Sequence, residues 1–188
     1  MRWRKAERER IIAARLALEP GQRRRHSLAI SRHLDTLVGD VKGCTIGVYW
    51  PFRGEPNLRR WMEGIVARGA SCALPVVIAR QTPLVFRSWK PGDRMCGGVW
   101  NIPIPAEGVD VTPDVVISPV VGFDPRCYRL GYGGGFYDRT LAAMAKTPRV
   151  IGVGFALSAI PTIHPLPHDI AMDAIVTEFG LLLPLGPT

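Results

Sequence analysis

The sequence predicts an α/β fold in which helices cover both faces of a mainly parallel central sheet. Short apolar runs rich in β-forming residues alternate along the chain with segments of helical periodicity, which is the pattern of βαβ units. Of the 188 residues, 47% are hydrophobic and 21% are charged, so the chain has enough apolar surface for a folded core. Because no repeat or linker divides the chain, a single domain is expected over residues 1–188.

Two helices are predicted in residues 1–40, a segment expected to pack on the rest of the domain. Residues 4–18 carry apolar side chains at helical spacing and end at Glu19-Pro20-Gly21, and residues 27–37 repeat the period. Further helices are predicted at residues 58–67 and 136–146, and strands at residues 45–50, 71–77, 84–89, 114–118, 149–153 and 173–177. Residues 90–113 are rich in glycine and proline and predict a long functional loop.

The net charge of +8 is concentrated at the N-terminus. Residues 1–25 hold nine Lys or Arg and three Glu, so the chain after them carries a net charge of only +2. A local basic helix fits phosphates of RNA, one small phosphorylated ligand, or a solvated face. An extended basic stripe, which polynucleotide binding needs, is not visible, so no nucleic-acid partner is expected.

Composition also favours a cytoplasmic protein without a membrane partner. No apolar stretch approaches the roughly 18 residues that cross a bilayer, and the N-terminus is too charged for a signal sequence. The four cysteines are spaced too widely for a zinc site or a dense disulfide framework, which indicates reduced thiols.

The segment that predicts chemistry is a glycine-rich loop between a short strand and a helix. Four glycines fall in the five positions 131–135, and Arg129 and Asp138 flank them. Such a loop lets consecutive N–H groups converge on an anion at a helix N-terminus, although a plain flexible turn remains an alternative. Neither a Walker A string nor GxGxxG is present. A basic and an acidic side chain beside the loop are what a magnesium–nucleotide site needs.

This segment strongly resembles the 5-formyltetrahydrofolate cyclo-ligase family, also called methenyltetrahydrofolate synthetases. The family hallmark is close to GFDxxGxRLGxGxGYYDxxL, and residues 122–141 read GFDPRCYRLGYGGGFYDRTL. Cys127 replaces one hallmark glycine, which costs on the order of 1 kcal/mol if that position needs a positive φ. The resemblance extends over nearly the whole chain and implies a three-layer fold similar to ribose-phosphate isomerases and CoA transferases.

The resemblance also implies an activity and its ligands. Family members use ATP as co-substrate, with Mg²⁺, to convert 5-formyltetrahydrofolate to 5,10-methenyltetrahydrofolate, releasing ADP and phosphate. The γ-phosphoryl group is thought to pass to the formyl oxygen before N10 attacks the activated carbon. A monomer is expected. Alternatives are a sugar-phosphate or CoA-ester enzyme on the same fold, and an RNA-binding module that uses the basic N-terminus.

Site residues follow by resemblance. Arg129 and Asp138 are expected at the reacting groups, and Asp138 and Asp169 at Mg²⁺. Glu55, Trp100 and Tyr137 are expected to contact the folate. Arg4 and Arg8 share a helix face and are expected to reach the nucleotide, with Arg2 and Lys5 as alternatives. The full set expected to hold ATP is Arg4, Arg8, Arg129, Leu130, Gly131, Tyr132, Gly133, Gly134, Gly135, Phe136 and Tyr137.

Overall fold

The computed structural model describes residues 2–185. Four α-helices and twelve strands follow one another along this part of the chain, with two short 3₁₀ turns at Val99–Asn101 and Ala156–Ser158. The helices are α1 Arg2–Ala17, α2 Pro20–Val38, α3 Arg59–Ala67 and α4 Phe136–Ala143. The strands are β1 Thr45–Gly47, β2 Ser71–Val77, β3 Leu84–Trp89, β4 Met95–Gly97, β5 Pro103–Pro105, β6 Asp110–Val111, β7 Val115–Pro119, β8 Gly122–Phe123, β9 Arg129–Leu130, β10 Arg149–Val153, β11 Ala174–Thr177 and β12 Gly180–Leu182.

The central sheet has eight strands in the order β12-β11-β10-β7-β1-β2-β3-β6. Its five middle strands, from β11 to β2, are parallel, whereas β12, β3 and β6 pair antiparallel at the two edges. The six residues between β2 and β3 are too few for a crossover helix, so β3 returns as a hairpin. The prediction of an α/β fold with a mainly parallel sheet is confirmed.

Alternating side chains of the middle strands bury both faces of this sheet. In β10 and β11, Ile151 and Val176 belong to a core cluster with Ile30 and Leu34 of α2. The intervening Val150 and Ile175 pack instead with residues on the α4 side, including Leu141. Because successive strand residues point to opposite faces, α2 and α4 cover the sheet from opposite sides.

Several boundaries differ from those predicted. Helix α2 begins at Pro20, since proline at a first helical position presets φ, so the Glu19-Pro20-Gly21 run that ends α1 also starts α2. Helix α4 ends at Ala143. Residues 90–113 form more than a loop: β4 and β5 pair as an antiparallel hairpin, and β6 joins the sheet edge beside β3.

Cys127 lies in a turn with φ 60°, so the residue that replaces the hallmark glycine does adopt the left-handed conformation. All four cysteines carry free thiols. Among residues 2–185, no helix is both long and apolar enough to span a bilayer.

Candidate active site

A cleft opens at the carboxyl ends of the parallel strands β1, β2 and β7. In the sheet, β1 lies between β2, the next strand along the chain, and β7. The cleft therefore lies at the point where the strand order reverses, which is where α/β sheets bind ligands. Its space, counted out to the open mouth, is about 1000 Å³. The lining comes from the segment after β1, the hairpin after β4, and the glycine loop between β9 and α4.

The glycine loop, residues 131–135, lines one wall of the cleft. Gly133 has φ 95° and Gly135, the residue before α4, has φ 62°. A Cβ on Gly134 would lie 2.7 Å from the Phe136 ring, so the close packing here requires a glycine. The loop therefore depends on its glycines for both conformation and space.

Two arginines hold the carbonyl groups of the glycine loop. Arg8 Nε of α1 donates to the Gly131 carbonyl at 2.6 Å, and Arg139 of α4 donates to the Gly134 carbonyl. Because a trans peptide points its N–H opposite to its C=O, the N–H groups of Tyr132 and Gly135 point away from these arginines. Within the described residues, the N–H groups of positions 132–135 donate to no protein acceptor. Four consecutive N–H donors are therefore available to an anion, and this loop is called the cradle.

Arg129 and Asp138 form an ion pair beside this cradle. Arg129 Nη2 lies 2.6 Å from Asp138 Oδ1, and both side chains are largely buried. Burial lowers the pKa of the Arg129 guanidinium from its ordinary value, while Asp138, Tyr137 and Asp169 oppose this shift. The backbone N–H of Ile170 also donates to Asp138 Oδ1 at 3.0 Å, which brings the neighbouring Asp169 close to Asp138.

Asp169 is held by the N-terminal helix. Arg4 Nη2 lies 2.5 Å from Asp169 Oδ2, and the Leu166 N–H donates to the same oxygen at 2.7 Å. Burial by itself would raise the pKa of Asp169, but the bonds from Arg4 and from the Leu166 N–H lower it below its ordinary value. Asp169 is therefore an ionised carboxylate next to the glycine loop.

Glu55 is a buried carboxyl group that lines the cleft from the segment after β1. The Phe52 N–H donates to Glu55 Oε2, and the Tyr132 hydroxyl donates to Glu55 Oε1, each at 2.9 Å. Burial raises the pKa of Glu55 to about 7, although Arg15 and these two hydrogen bonds pull it downward. A carboxyl group with this pKa changes charge near neutral pH.

Aromatic rings form the mouth of the cleft. Trp100 stacks on Phe52 with ring centroids 6.1 Å apart and planes 7° apart, and Tyr132 tilts against both rings. The backbone at Trp100 is left-handed, with φ 56°, and the indole is half exposed. This wall presents flat apolar faces to a planar ligand.

Two residues that line the cleft carry buried hydrogen-bond donors without a partner among the described residues. Arg129 Nη1 and the Tyr137 hydroxyl are both buried, and neither has a hydrogen-bond partner among the described residues. Both residues line the cleft, and the Arg129 guanidinium lies over the Tyr137 ring with its Cζ 5.6 Å from the centroid. Buried polar groups are normally hydrogen-bonded, so these two donors are arranged for an anionic or carbonyl oxygen of a ligand.

The model of the 5-formyltetrahydrofolate cyclo-ligase family matches residues 1–178. The chain belongs to this family. The expected family and the prediction of an enzyme are thereby confirmed.

Individual cyclo-ligase relatives agree with the family match. The 5-formyltetrahydrofolate cyclo-ligase of Escherichia coli K12 is 31% identical over 175 residues, which cover 89% of this chain and 96% of the relative. That of Mycolicibacterium smegmatis is 32% identical over 146 residues, covering 73% and 75% of the two chains.

Solved structures agree as well. The NMR structure of an Aquifex aeolicus 5,10-methenyltetrahydrofolate synthetase superposes with a TM-score of 0.83 at 25% identity, covering 98% of this chain and 94% of that one. A 5,10-methenyltetrahydrofolate synthetase from Mycoplasma pneumoniae has a TM-score of 0.77 at 23% identity, over 93% of this chain and 98% of that one, and supports the fold alone.

The cyclo-ligase fold brings most of the expected site residues into one cleft. Its lining includes Glu55, Trp100, Arg129, Gly131, Tyr132, Gly134, Gly135, Phe136, Tyr137 and Asp138. Arg4, Arg8, Gly133 and Asp169 are absent from that lining: Arg8 packs over Gly133, and Arg4 pairs with Asp169. Leu130 points into the core, so only its backbone is available to a ligand.

Among the residues not anticipated are Phe52, which lines the cleft, and Arg15, which lies beneath it. Phe52 lies between Glu55 and Trp100 in the aromatic wall, and no local pattern distinguishes it from a core residue. Arg15 is buried under the cleft and contacts Tyr132. Its position four residues after the buried Ile11 was an available signal, because a residue at that spacing shares the apolar face of the helix.

Proposed function

We propose that the protein converts 5-formyltetrahydrofolate to 5,10-methenyltetrahydrofolate in a reaction that consumes ATP, requires Mg²⁺ and releases ADP and phosphate. One observation carries the proposal: the four free N–H groups at positions 132–135 belong to a loop that lines the same cleft as the buried Glu55 carboxyl and the aromatic wall. A triphosphate and a pterin can therefore bind next to each other in this cleft. Family membership favours this reaction over a sugar-phosphate or CoA-ester enzyme.

The chemical difficulty is the low electrophilicity of the formyl carbon. Its oxygen attacks the γ-phosphorus of ATP, the bond to the β-phosphate oxygen breaks, and ADP leaves. N10 then attacks the activated carbon and loses its proton, and the carbon–oxygen bond breaks to release phosphate. The phosphate released thus contains the former formyl oxygen. The protein has to align the two substrates and neutralise charge in both steps.

The nucleotide side of the site consists of the cradle and the cations around it. The N–H groups of positions 132–135 donate to phosphate oxygens, and Arg129 Nη1 supplies a charged donor that has no other partner among the described residues. From α1, Arg8 bonds the Gly131 carbonyl of the same loop, and Arg4 pairs with Asp169. These groups face charge that grows on the transferring phosphoryl group, which is the largest contribution expected from a protein in this step.

The two aspartates fit a Mg²⁺ ion that also contacts phosphate. Asp138 and Asp169 each use one oxygen for arginine and backbone donors, and within residues 2–185 their other oxygens accept no hydrogen bond. No cluster of three acidic, His or Cys ligands exists in the described part, which suits an ion held by one or two carboxylates, waters and phosphates. When bound, the ion neutralises phosphate charge.

The proposed folate side of the site consists of Glu55 and the aromatic rings at the mouth of the cleft. Phe52 and Trp100 offer stacking faces to the pterin, and the Glu55 carboxylate accepts hydrogen bonds from its ring N–H groups. The Tyr137 hydroxyl, buried and unpartnered among the described residues, can donate to the formyl oxygen or to the phosphate that replaces it.

The proposal extends to the assembly and the compartment. The active form is proposed to be a monomer. The four free thiols support a reducing compartment, the cytoplasm. The unit that acts is then the single domain of residues 1–188.

A spectrophotometric assay tests the proposed reaction. Purified protein with 5-formyltetrahydrofolate, ATP and Mg²⁺ should form methenyltetrahydrofolate, and omission of ATP or of Mg²⁺ should abolish it. With substrate labelled by ¹⁸O at the formyl group, the label should appear in the released phosphate. Product formation without ATP, or unlabelled phosphate, would contradict the proposed mechanism.

A further inference from the structure

Arg15 is a buried charge without a direct carboxylate partner. Only 1% of the residue is exposed, whereas Arg4 and Arg8 of the same helix are partly buried and Arg2 and Arg10 are exposed. Among the described residues, no carboxylate oxygen lies within ion-pair distance of its guanidinium. Burying an isolated charge is costly, so its contacts should explain why an arginine is present here.

Those contacts join three parts of the cleft. Arg15 Nε donates to the Arg53 carbonyl at 2.9 Å, in the segment that carries Glu55, and Nη1 donates to the Val120 carbonyl at 3.4 Å, just after β7. Nη2 donates to the Tyr132 hydroxyl at 2.7 Å. Since a guanidinium can only donate, the Tyr132 hydroxyl accepts from Arg15 and donates its own O–H to Glu55 Oε1.

This arrangement makes a relay from guanidinium to phenol to carboxylate. Both hydrogen bonds in this relay are donated in the direction of the Glu55 carboxylate. Because the three groups are buried, electrostatic interactions between them are stronger than in water. Four ionisable groups are coupled to Glu55: Arg15 from α1 and Tyr132 from the glycine loop lower its pKa, and the Glu55 charge in turn raises the pKa of Tyr137 from α4 and Tyr49 after β1. Arg15 is the one cation among these four, and the three tyrosines stay neutral at ordinary pH because burial raises their pKa values.

We propose that Arg15 is a positioning residue that, through Tyr132, keeps Glu55 ionised and oriented to bind the pterin ring of the folate. The role rests on the proposed function of Glu55. Arg15 contacts neither substrate; it fixes the segment of Arg53, the glycine loop and the Glu55 carboxylate relative to one another. The same residue thus links the folate wall to the phosphate wall.

The test compares Arg15→Gln, Arg15→Lys and the wild type. Loss of the charge should raise the pKa of Glu55 by about one unit or more, because a nearby opposite charge lowers a carboxyl pKa by roughly one to three units. The midpoint of the pH profile of kcat/KM should shift upward by the same amount. At neutral pH, the decrease in kcat/KM should come mostly from a higher KM for folate. Arg15→Lys should keep a midpoint close to wild type. The matched control is Arg10→Gln, an exposed arginine of the same helix that pairs with Glu7.

A second readout does not depend on turnover. NMR titration of the Glu55 side-chain carboxyl carbon, in protein labelled with ¹³C-glutamate and assigned through Glu55→Gln, should give the same upward shift in Arg15→Gln. An unshifted Glu55 titration, or an equal shift in the lysine variant, would overturn the proposal. Failure of the wild type to form methenyltetrahydrofolate would instead reject the proposed function and leave the titration result interpretable.

If Arg15→Gln does not fold, Tyr132→Phe provides the independent variant. It leaves the buried charge in place and removes only the bridging hydroxyl, so Glu55 loses a hydrogen bond to its ionised form. The Glu55 pKa should again rise, and folate KM at neutral pH should increase roughly tenfold for the loss of one hydrogen bond to a charged group. An unchanged titration in this variant would show that the relay does not act on Glu55.

Discussion

Arg129 and Asp138 form an ion pair at one end of the glycine loop, with Nη2 of the arginine 2.6 Å from Oδ1 of the aspartate. The pair leaves one nitrogen of the guanidinium and one oxygen of the carboxylate without a partner among the described residues. The two free atoms have opposite charge and suit a phosphate oxygen and a metal ion. Within the proposed function, each residue thus organises the other and keeps one atom for a ligand.

Asp138→Asn should abolish most magnesium-dependent turnover while the protein stays folded. The amide keeps the shape of the side chain but loses the charge that would hold the ion, and loss of metal assistance reduces kcat by about 100-fold or more. Activity over a Mg²⁺ titration and thermal unfolding would be measured together. The control is Asp110→Asn, at the exposed sheet edge. A folded Asp138→Asn protein with undiminished turnover would reject the role.

Glu55→Gln should change how stability depends on pH. Burial raises the pKa of Glu55 from 4.5 to about 7, so the folded protein binds an extra proton in this window and its unfolding free energy falls as pH rises. The glutamine variant lacks this loss. The free energy of unfolding of the variant, relative to wild type, should therefore be about 3 kcal/mol higher above about pH 7 than at about pH 4.5. Urea denaturation at several pH values measures this, and parallel curves for the two proteins would contradict it.

Trp100→Ala should weaken folate binding and leave ATP binding intact. The indole stacks on Phe52 at the mouth of the cleft, and loss of an aromatic stacking face costs about 1 kcal/mol or slightly more, which raises folate KM roughly tenfold. Steady-state kinetics with each substrate varied in turn provides the comparison. Phe179→Ala, at a ring that is 82% exposed, is the control for removing a surface aromatic. An equal rise in both KM values would argue against the folate role.

Gly134→Val should impair ATP binding. Its Cβ would lie 2.7 Å from the Phe136 ring, so the loop or the ring has to move, and the branched side chain narrows the approach of phosphate. Calorimetry should show ATP affinity reduced by at least about tenfold, the equivalent of one lost hydrogen bond to a charged group. Gly64→Ala, with open space around its Cβ in α3, controls for the added side chain. Unchanged ATP affinity in the valine variant would be the contrary result.

The parts of the fold that follow from local pattern were predictable. The alternation of strands and helices gives the parallel sheet because each pattern spans several residues with a clear period. The β4–β5 hairpin was missed because three-residue strands have no period to detect, and its prolines indicate a loop. The cost expected at Cys127 was conditional on a positive φ, and the observed φ of 60° meets that condition.

The parts of the site that depend on distant contacts were less accessible. Arg129, the glycines and Asp138 lie within ten residues, so the sequence brings them together. The partner of Asp169 is Arg4, 165 residues earlier, and sequence distance carries no information about that contact. The relay of Arg15, Tyr132 and Glu55 likewise joins three separate segments, and only the packing of α1 against the glycine loop reveals it.

The role of α1 has a consequence for how the protein is made. Arg4, Arg8 and Arg15 bond to residues 105 to 165 positions further along the chain, and these partners are made long after α1 itself. Closing such long loops is slow compared with forming local structure. A nascent chain therefore completes its candidate site only after the segments that contain Gly131, Tyr132 and Asp169 have been translated.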